Sequence, residues 1–155
     1  MAAASPRKAQ DSYTEMTELV LPQHANALGT AFGGTVLAWM DVCGAIAAQR
    51  HCGRVAVTAA MDQVGFVAPI RVGDVVVLSA RIAAAFNSSV EVEVTVQVED
   101  KSGALTRCVE AFMTFVAVDG EGKPMAVPPL TLGGEEDRVR VEQATARRRE
   151  RLARR

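Results

Sequence analysis

A chain of 155 residues, 49% hydrophobic and 23% charged, is long enough for one domain with its own core and has the mixed composition of an ordinary soluble protein. The formal net charge of -1 argues against a general nucleic-acid binder and against an acidic-tail protein. The opening Met-Ala-Ala-Ala-Ser-Pro-Arg-Lys lacks the apolar stretch of a secretory signal, and no run nears the roughly 18 apolar residues of a membrane span, so no membrane partner is expected. Cys43, Cys52 and Cys108 are odd in number and without CxxC spacing, as expected of reduced thiols in a cytoplasmic protein.

Residues 1–11 are small and polar and are expected to be disordered, ahead of a folded domain over 12–130. Tyr13 to Leu21 alternates as a first strand until Pro22 stops it, and Pro22 to Gly29 reads as a turn in which Asn26 alone is unremarkable. The pattern predicts a helix from about Gly33 to His51, capped by Cys52-Gly53. From Val36 to Ala48 nearly every residue is apolar or small, which leaves no polar face, so this helix is expected to be wrapped by the rest of the fold. One ionisable group, Asp41, sits in its middle, where a carboxylate is rare unless paired or functional.

After Gly53 the period changes to two. Val55 to Met61 is a strand, continued by Gly65 to Val67 and broken at Ala68-Pro69. Arg71 to Asp74 turns into a strand over Val75 to Phe86. Val90, Val92, Val94, Val96 and Val98 then alternate with Glu91, Glu93, Thr95, Gln97 and Glu99, which predicts one buried face and one wet face. Asp100 to Gly103 turns again, and Leu105 to Val118 is the last long strand. The sum is an α+β fold, a long central helix with an antiparallel sheet curled round it. Residues 131–155 form a charged tail in which Glu135 to Arg155 carries eight arginines; it is expected to be a solvated or frayed helix, with a basic arm as the alternative.

Asn26-x-x-Gly29-x-x-Phe32-Gly33-Gly34, then Trp39-Met40-Asp41, Val57-Thr58-Ala59-Ala60-Met61-Asp62 and Ala85-Phe86-Asn87-Ser88-Ser89-Val90-Glu91 resemble the acyl-CoA hydrolase branch of the hotdog-fold thioesterases, over about Leu19 to Pro129. The resemblance implies a hotdog fold acting on the thioester of an acyl-coenzyme A to release fatty acid and coenzyme A, in homodimers with further assembly to tetramers or hexamers. It carries the catalytic asparagine onto Asn26, the oxyanion-binding amide onto Gly33 and the catalytic carboxylate onto Asp41. Coenzyme contacts fall on Ala59, Ala60 and Met61 and on Ser88, Ser89 and Val90. Some relatives have a histidine where this chain has Phe32 and a serine where it has Ala60.

The residues supply the matching chemistry. Desolvation in an apolar helix is expected to raise the pKa of Asp41 towards that of a useful general base, and direct attack to an anhydride is the other route open to it. Gly33 and Gly34 leave N–H groups at the positive end of the helix dipole with no side chain in the way of a carbonyl oxygen, although glycines also serve close helix packing. Asn26 can hold the water. A structural Asp41 tied to Arg50 or Arg54 is the plainer alternative. His24 and His51 read as surface residues, and no spacing implies a metal or a cofactor beyond the coenzyme of the substrate itself. Gly44, Ala45, Ala47 and Ala48, with Ala83 to Ala85, either leave room for an acyl chain or bring helix and sheet together. Arg54, Arg71, Arg81 and the C-terminal arginines are unranked candidates for the coenzyme phosphates. A hotdog dehydratase is the rival enzyme, but neither histidine lies beside Asp41; a non-catalytic acyl-CoA sensor is the rival of another class. Finally, Gly33 and Asp41 lie roughly 12 Å apart along one helix, too far for one thioester carbon to touch both, so two antiparallel helices of a dimer are expected to share each site.

Overall fold

β-Branched runs favour strands because their side chains pack on a pleated, half-buried surface. In the computed structural model, which describes residues 4–155, those runs build a five-stranded antiparallel sheet. In chain order the elements are β1 (Arg7–Lys8), α1 (Ala9–Ser12), β2 (Thr14–Leu19), a 3-10 turn (Pro22–His24), α2 (Gly33–Cys52), β3 (Ala56–Phe66), β4 (Val75–Ala85), β5 (Ser89–Glu99), β6 (Leu105–Ala117), β7 (Leu130–Thr131) and α3 (Glu135–Ala153). The sheet order is β2-β4-β5-β6-β3, so the β4–β6 meander is central and β2 and β3 are edges. β1 and β7 form a separate parallel pair, Arg7 opposite Leu130.

Helix α2 begins at Gly33 with no side-chain cap and ends where Gly53, at φ 69°, donates its N–H to Gln49 O at 2.8 Å. A left-handed terminator of this kind suits glycine. One stripe of α2, including Val36, Met40, Cys43, Gly44, Ala47 and Ala48, is buried against Val90, Val92, Val94, Val96 and Phe115. Gly44 serves packing here: a Cβ would meet the Phe115 ring at 3.0 Å and Val94 at 3.3 Å, so the small residues of this stripe join helix to sheet. The helix is not wrapped, however. Ala38, Asp41, Val42 and Ala45 run along its other side at i, i+3, i+4 and i+7, and Val42 is 51% exposed.

Four other expectations are corrected. Within 1–11, residues 1–3 lie outside the described residues, but Arg7–Lys8 pair with β7 and α1 seats the buried Ala9, because β7 lends them a backbone ladder that local composition does not reveal. The charged tail is a docked helix: α3 covers the opposite face of the sheet, burying Ala144 with Ala83 and Ala84. The outward face of β5 is therefore not uniformly wet, although Glu99 at its end is exposed. Glu91 is 1% exposed and accepts two bonds from Arg147, at 2.9 and 2.8 Å, while Arg147 lies 3.6 Å over the ring of Phe112. His51, expected at the surface, is fully buried, its Nε2–H donating to Pro128 O at 2.8 Å.

Candidate active site

The loop ahead of α2 is organised by Asn26. Its Oδ1 accepts from the N–H groups of Leu28 (2.9 Å) and Thr30 (3.2 Å), and its Nδ2 donates to Thr30 Oγ1 at 2.7 Å, an Asx-type turn completed by Gly29 at φ 77°. The loop is also sewn to the segment after β3, with Ala31 N–H on Ile70 O at 2.8 Å and Val72 N–H on Gly29 O at 3.0 Å. An amide carries two N–H donors, so turn duty leaves one of those on Asn26 without a partner among the described residues.

Gly33 and Gly34 stand exposed at the helix start, and among the described residues nothing accepts from their N–H groups. Neither has positive φ. A Cβ on Gly34 would meet nothing within 4 Å, and one on Gly33 only the Phe66 ring at 3.5 Å, an ordinary contact. Packing therefore does not demand these glycines, whereas close approach of a ligand oxygen to the N–H groups does profit from them.

Asp41 is half-buried, on the uncovered stripe of α2 rather than deep in apolar surroundings, and its Oδ1 accepts from Thr58 Oγ1 at 2.6 Å. Neither Arg50 nor Arg54 pairs with it: Arg50 donates instead to Tyr13 O and Thr14 Oγ1. Oδ2 has no hydrogen-bond partner among the described residues. Thr58, which sequence reasoning left without a role, is thus the residue that orients the carboxylate; its position directly before the Ala59 to Met61 segment was the available signal. Phe66 was also missed, and it holds the other end of the same strand against Gly33.

Ala59 is the extra residue of a bulge, since Thr58 faces Phe115 and Ala60 faces Thr114 of β6. Ala59 is exposed, with Ala60 and Met61 half-buried, on a strand whose outer edge is free. Phe115 also faces Val90 of β5, so the two segments expected to contact the coenzyme lie two strands apart, roughly 10 Å. Ser88 and Ser89 are half-buried at the β4–β5 turn, while Val90 is fully buried in the core and supports that turn from below. The structure thus gathers Asp41, Thr58, Ala59 to Met61 and the Ser88-Ser89 turn at one end of the sheet. It keeps Gly33 at the other end of β3, about 12 Å up the same helix from Asp41. An apolar groove of about 350 Å³, lined by Thr30, Ala31, Val36, Phe66, Val67 and Ile70, lies beside Gly33.

Among the described residues the buried thiols of α2 do not compete as nucleophiles. Burial pushes the Cys43 and Cys52 thiols up to about 11, against the opposing pull of Arg50 on the first and Arg7 on the second, so both stay protonated.

Comparison with known proteins agrees with this fold. A family model of the thioesterase superfamily matches residues 28–104. An uncharacterized acyl-CoA thioester hydrolase of Bacillus subtilis is 36% identical over 152 residues, covering 97% of this chain and 88% of its own. The acyl-CoA hydrolase of Staphylococcus aureus, solved with butyryl coenzyme A, coenzyme A and coenzyme A disulfide, superposes with a TM-score of 0.89 at 34% identity, over 96% of this chain and 91% of that one. A hexameric acyl-CoA thioesterase solved without ligand gives 0.91 at 38% identity, over 97% of each chain. The chain spans 25% of the length of the rat acetyl-coenzyme A thioesterase, to which it is 34% identical over 139 residues. With its long helix laid on a five-stranded antiparallel sheet, the chain belongs to the acyl-CoA hydrolase branch of the hotdog-fold thioesterase superfamily.

Proposed function

We propose that this protein hydrolyses the thioester of acyl-coenzyme A to a free fatty acid and coenzyme A, in active sites shared between two copies of the chain. The observation that carries the reading is the placement of Asp41: a carboxylate fixed by Thr58 on an apolar helix stripe that its own chain leaves uncovered. Such a stripe calls for a partner. The free β3 edge beside it, with Val57 and Phe66 exposed, offers one by strand pairing. A two-fold pairing of two β3 edges, centred midway between Thr58 and Phe66, sets the Asp41 end of one chain against the Gly33 end of the other. The hexameric relative supports further assembly of such dimers, and three free thiols suit the reducing cytoplasm.

In that composite site the thioester oxygen sits about 3 Å from the Gly33 N–H of one protomer, where negative charge develops at the positive end of α2. The spare Asn26 N–H orients a water, and Oδ2 of Asp41 from the other protomer takes its proton as it attacks the carbonyl carbon. Collapse of the tetrahedral intermediate breaks the C–S bond, and the coenzyme A thiolate recovers the proton. The anhydride route uses the same Oδ2 as the attacking atom, and water then cleaves the anhydride.

Free-thiol release from acyl-CoAs of graded chain length tests the activity, and Asp41→Asn is expected to lower kcat on the order of 100-fold or more with the fold intact. Tight binding without thiol release would make the protein a sensor instead. Sharing is tested by refolding Asn26→Ala with Asp41→Ala. Random pairing restores about a quarter of wild-type activity if the residues act in trans, and nothing if each site belongs to one chain.

A further inference from the structure

Asn26 and Thr30 are bonded to each other in both directions. Asn26 N–H donates to Thr30 O at 2.9 Å, Thr30 N–H donates to Asn26 Oδ1 at 3.2 Å, and Asn26 Nδ2 donates to Thr30 Oγ1 at 2.7 Å. The carboxamide therefore has one orientation. Its oxygen is the atom that takes the backbone N–H groups of Leu28 and Thr30, which an amide nitrogen cannot accept, so the nitrogen faces the Thr30 hydroxyl. The turn itself does not need that last bond. Gly29 N–H on Asn26 O at 3.0 Å and Asn26 N–H on Thr30 O already close its backbone, and the two bonds to Oδ1 brace it. What the hydroxyl adds is a fixed plane for the amide. Thr30 is half-buried, bridges antiparallel to Arg71 and lines the groove beside Gly33, and its β-branched side chain is stiff at χ1.

We propose that Thr30 is the positioning residue for the Asn26 half of the site: by taking one N–H of the carboxamide it aims the remaining one at the attacking water. The proposal rests on the acyl-CoA hydrolase reading above. The Asp41 half is arranged in the same way, since Thr58 donates to Oδ1 and leaves Oδ2 without a partner among the described residues. In each half a threonine hydroxyl engages one position of the polar head and leaves another for the reaction. An amide fixed beforehand need not reorient as the water attacks, so the hold acts on turnover rather than on coenzyme binding.

The test is Thr30→Val, which keeps the β-branched shape and removes the acceptor. It is expected to lower kcat about tenfold, with KM for an acyl-CoA and the melting temperature nearly unchanged. Thr30→Ser restores the hydroxyl and should return most of kcat. Action through Asn26 is read in an Asn26→Asp background, which keeps the Oδ1 acceptor of the turn and has no N–H left to aim. There Thr30→Val should cost nothing further in residual turnover. An unchanged kcat in Thr30→Val, no recovery in Thr30→Ser, or an equal further loss in the Asn26→Asp background overturns the proposal while the hydrolase reading stands. If wild type releases no thiol, the hydrolase reading falls, and the hold on the amide is decided by NMR of the Asn26 side-chain protons. One proton exchanging slowly in wild type and quickly in Thr30→Val upholds the hold; fast exchange of both protons in wild type removes it.

Discussion

On one face of the sheet, α2 packs Met40, Cys43 and Ala47 into an apolar cluster with Val92, Val94 and Phe115. On the other, α3 meets the same strands through Arg147–Glu91, Arg140–Glu93 and Arg81–Asp137, with Ala144 as its one fully buried side chain. The contrast separates two ways of covering a sheet. Apolar burial is non-directional and depends on shape, whereas a buried ion pair depends on both partners being present, since one alone leaves an unpaired charge out of water. The catalytic candidates Gly33 and Asp41 lie on the first layer.

The largest effect is expected on the α3 side. Glu91→Ala leaves the Arg147 guanidinium, only 10% exposed at the side chain, without its carboxylate, and should cost about 3–5 kcal/mol in urea unfolding. Replacing both partners, Glu91→Leu with Arg147→Met, should recover most of that loss. A Glu91→Ala cost under about 1 kcal/mol would mean that Ala144 and the Arg147–Phe112 contact hold the helix without the pair, and the contrast would fail.

On the α2 side the sensitive quantity is volume. Gly44→Ala pushes a methyl group to 3.0 Å from the fully buried Phe115 ring and should destabilise by about 1–3 kcal/mol, against a helix-propensity gain of at most about 1 kcal/mol. Gly34→Ala, which meets nothing within 4 Å, supplies the comparison and should leave the melting temperature nearly unchanged. Equal stability of the two variants would show that Phe115 yields freely.

The same contrast explains what the sequence made legible. The sheet and α2 follow from period-two valines in β5 and from the Gly33 and Gly53 boundaries, all local signals. Periodicity counts arginine and glutamate as wet, so it misread both Glu91 and α3, where stems and ion pairs cover the sheet through contacts 56 residues apart. β1 escaped notice for a like reason, its ladder partner being β7. At the site, motif and chemistry singled out Asn26, Gly33 and Asp41 as candidates. Thr58 as the carboxylate's partner and the uncovered stripe round Asp41 were not legible, because both depend on how α2 is rotated against β3.

His51 joins the two layers, since it closes α2 and its Nε2–H holds Pro128 on the segment leading to β7 and α3. Burial pulls its pKa below the ordinary 6.5, an effect to which Arg7 adds, while the bond to Pro128 and the nearby Asp11 act against it. Nδ1 is buried without a partner, so the folded ring stays neutral where an unfolded one would take a proton. The unfolded chain therefore binds more protons at mildly acid pH, and stability rises with pH through this window. The contribution is fully present above about pH 6.5 and falls as the pH drops through that value, by at most about 1.4 kcal/mol per unit, until the folded pKa is passed. Glu93 contributes with the opposite sign, since burial raises its folded pKa, but it does so equally in wild type and in a His51 variant. His51→Gln keeps an N–H for Pro128 and removes the titration. Urea unfolding at pH 7.5, 6.5 and 5.5 should show a steeper loss for wild type than for His51→Gln, and parallel curves would mean that water reaches the ring and that the junction between the two layers opens.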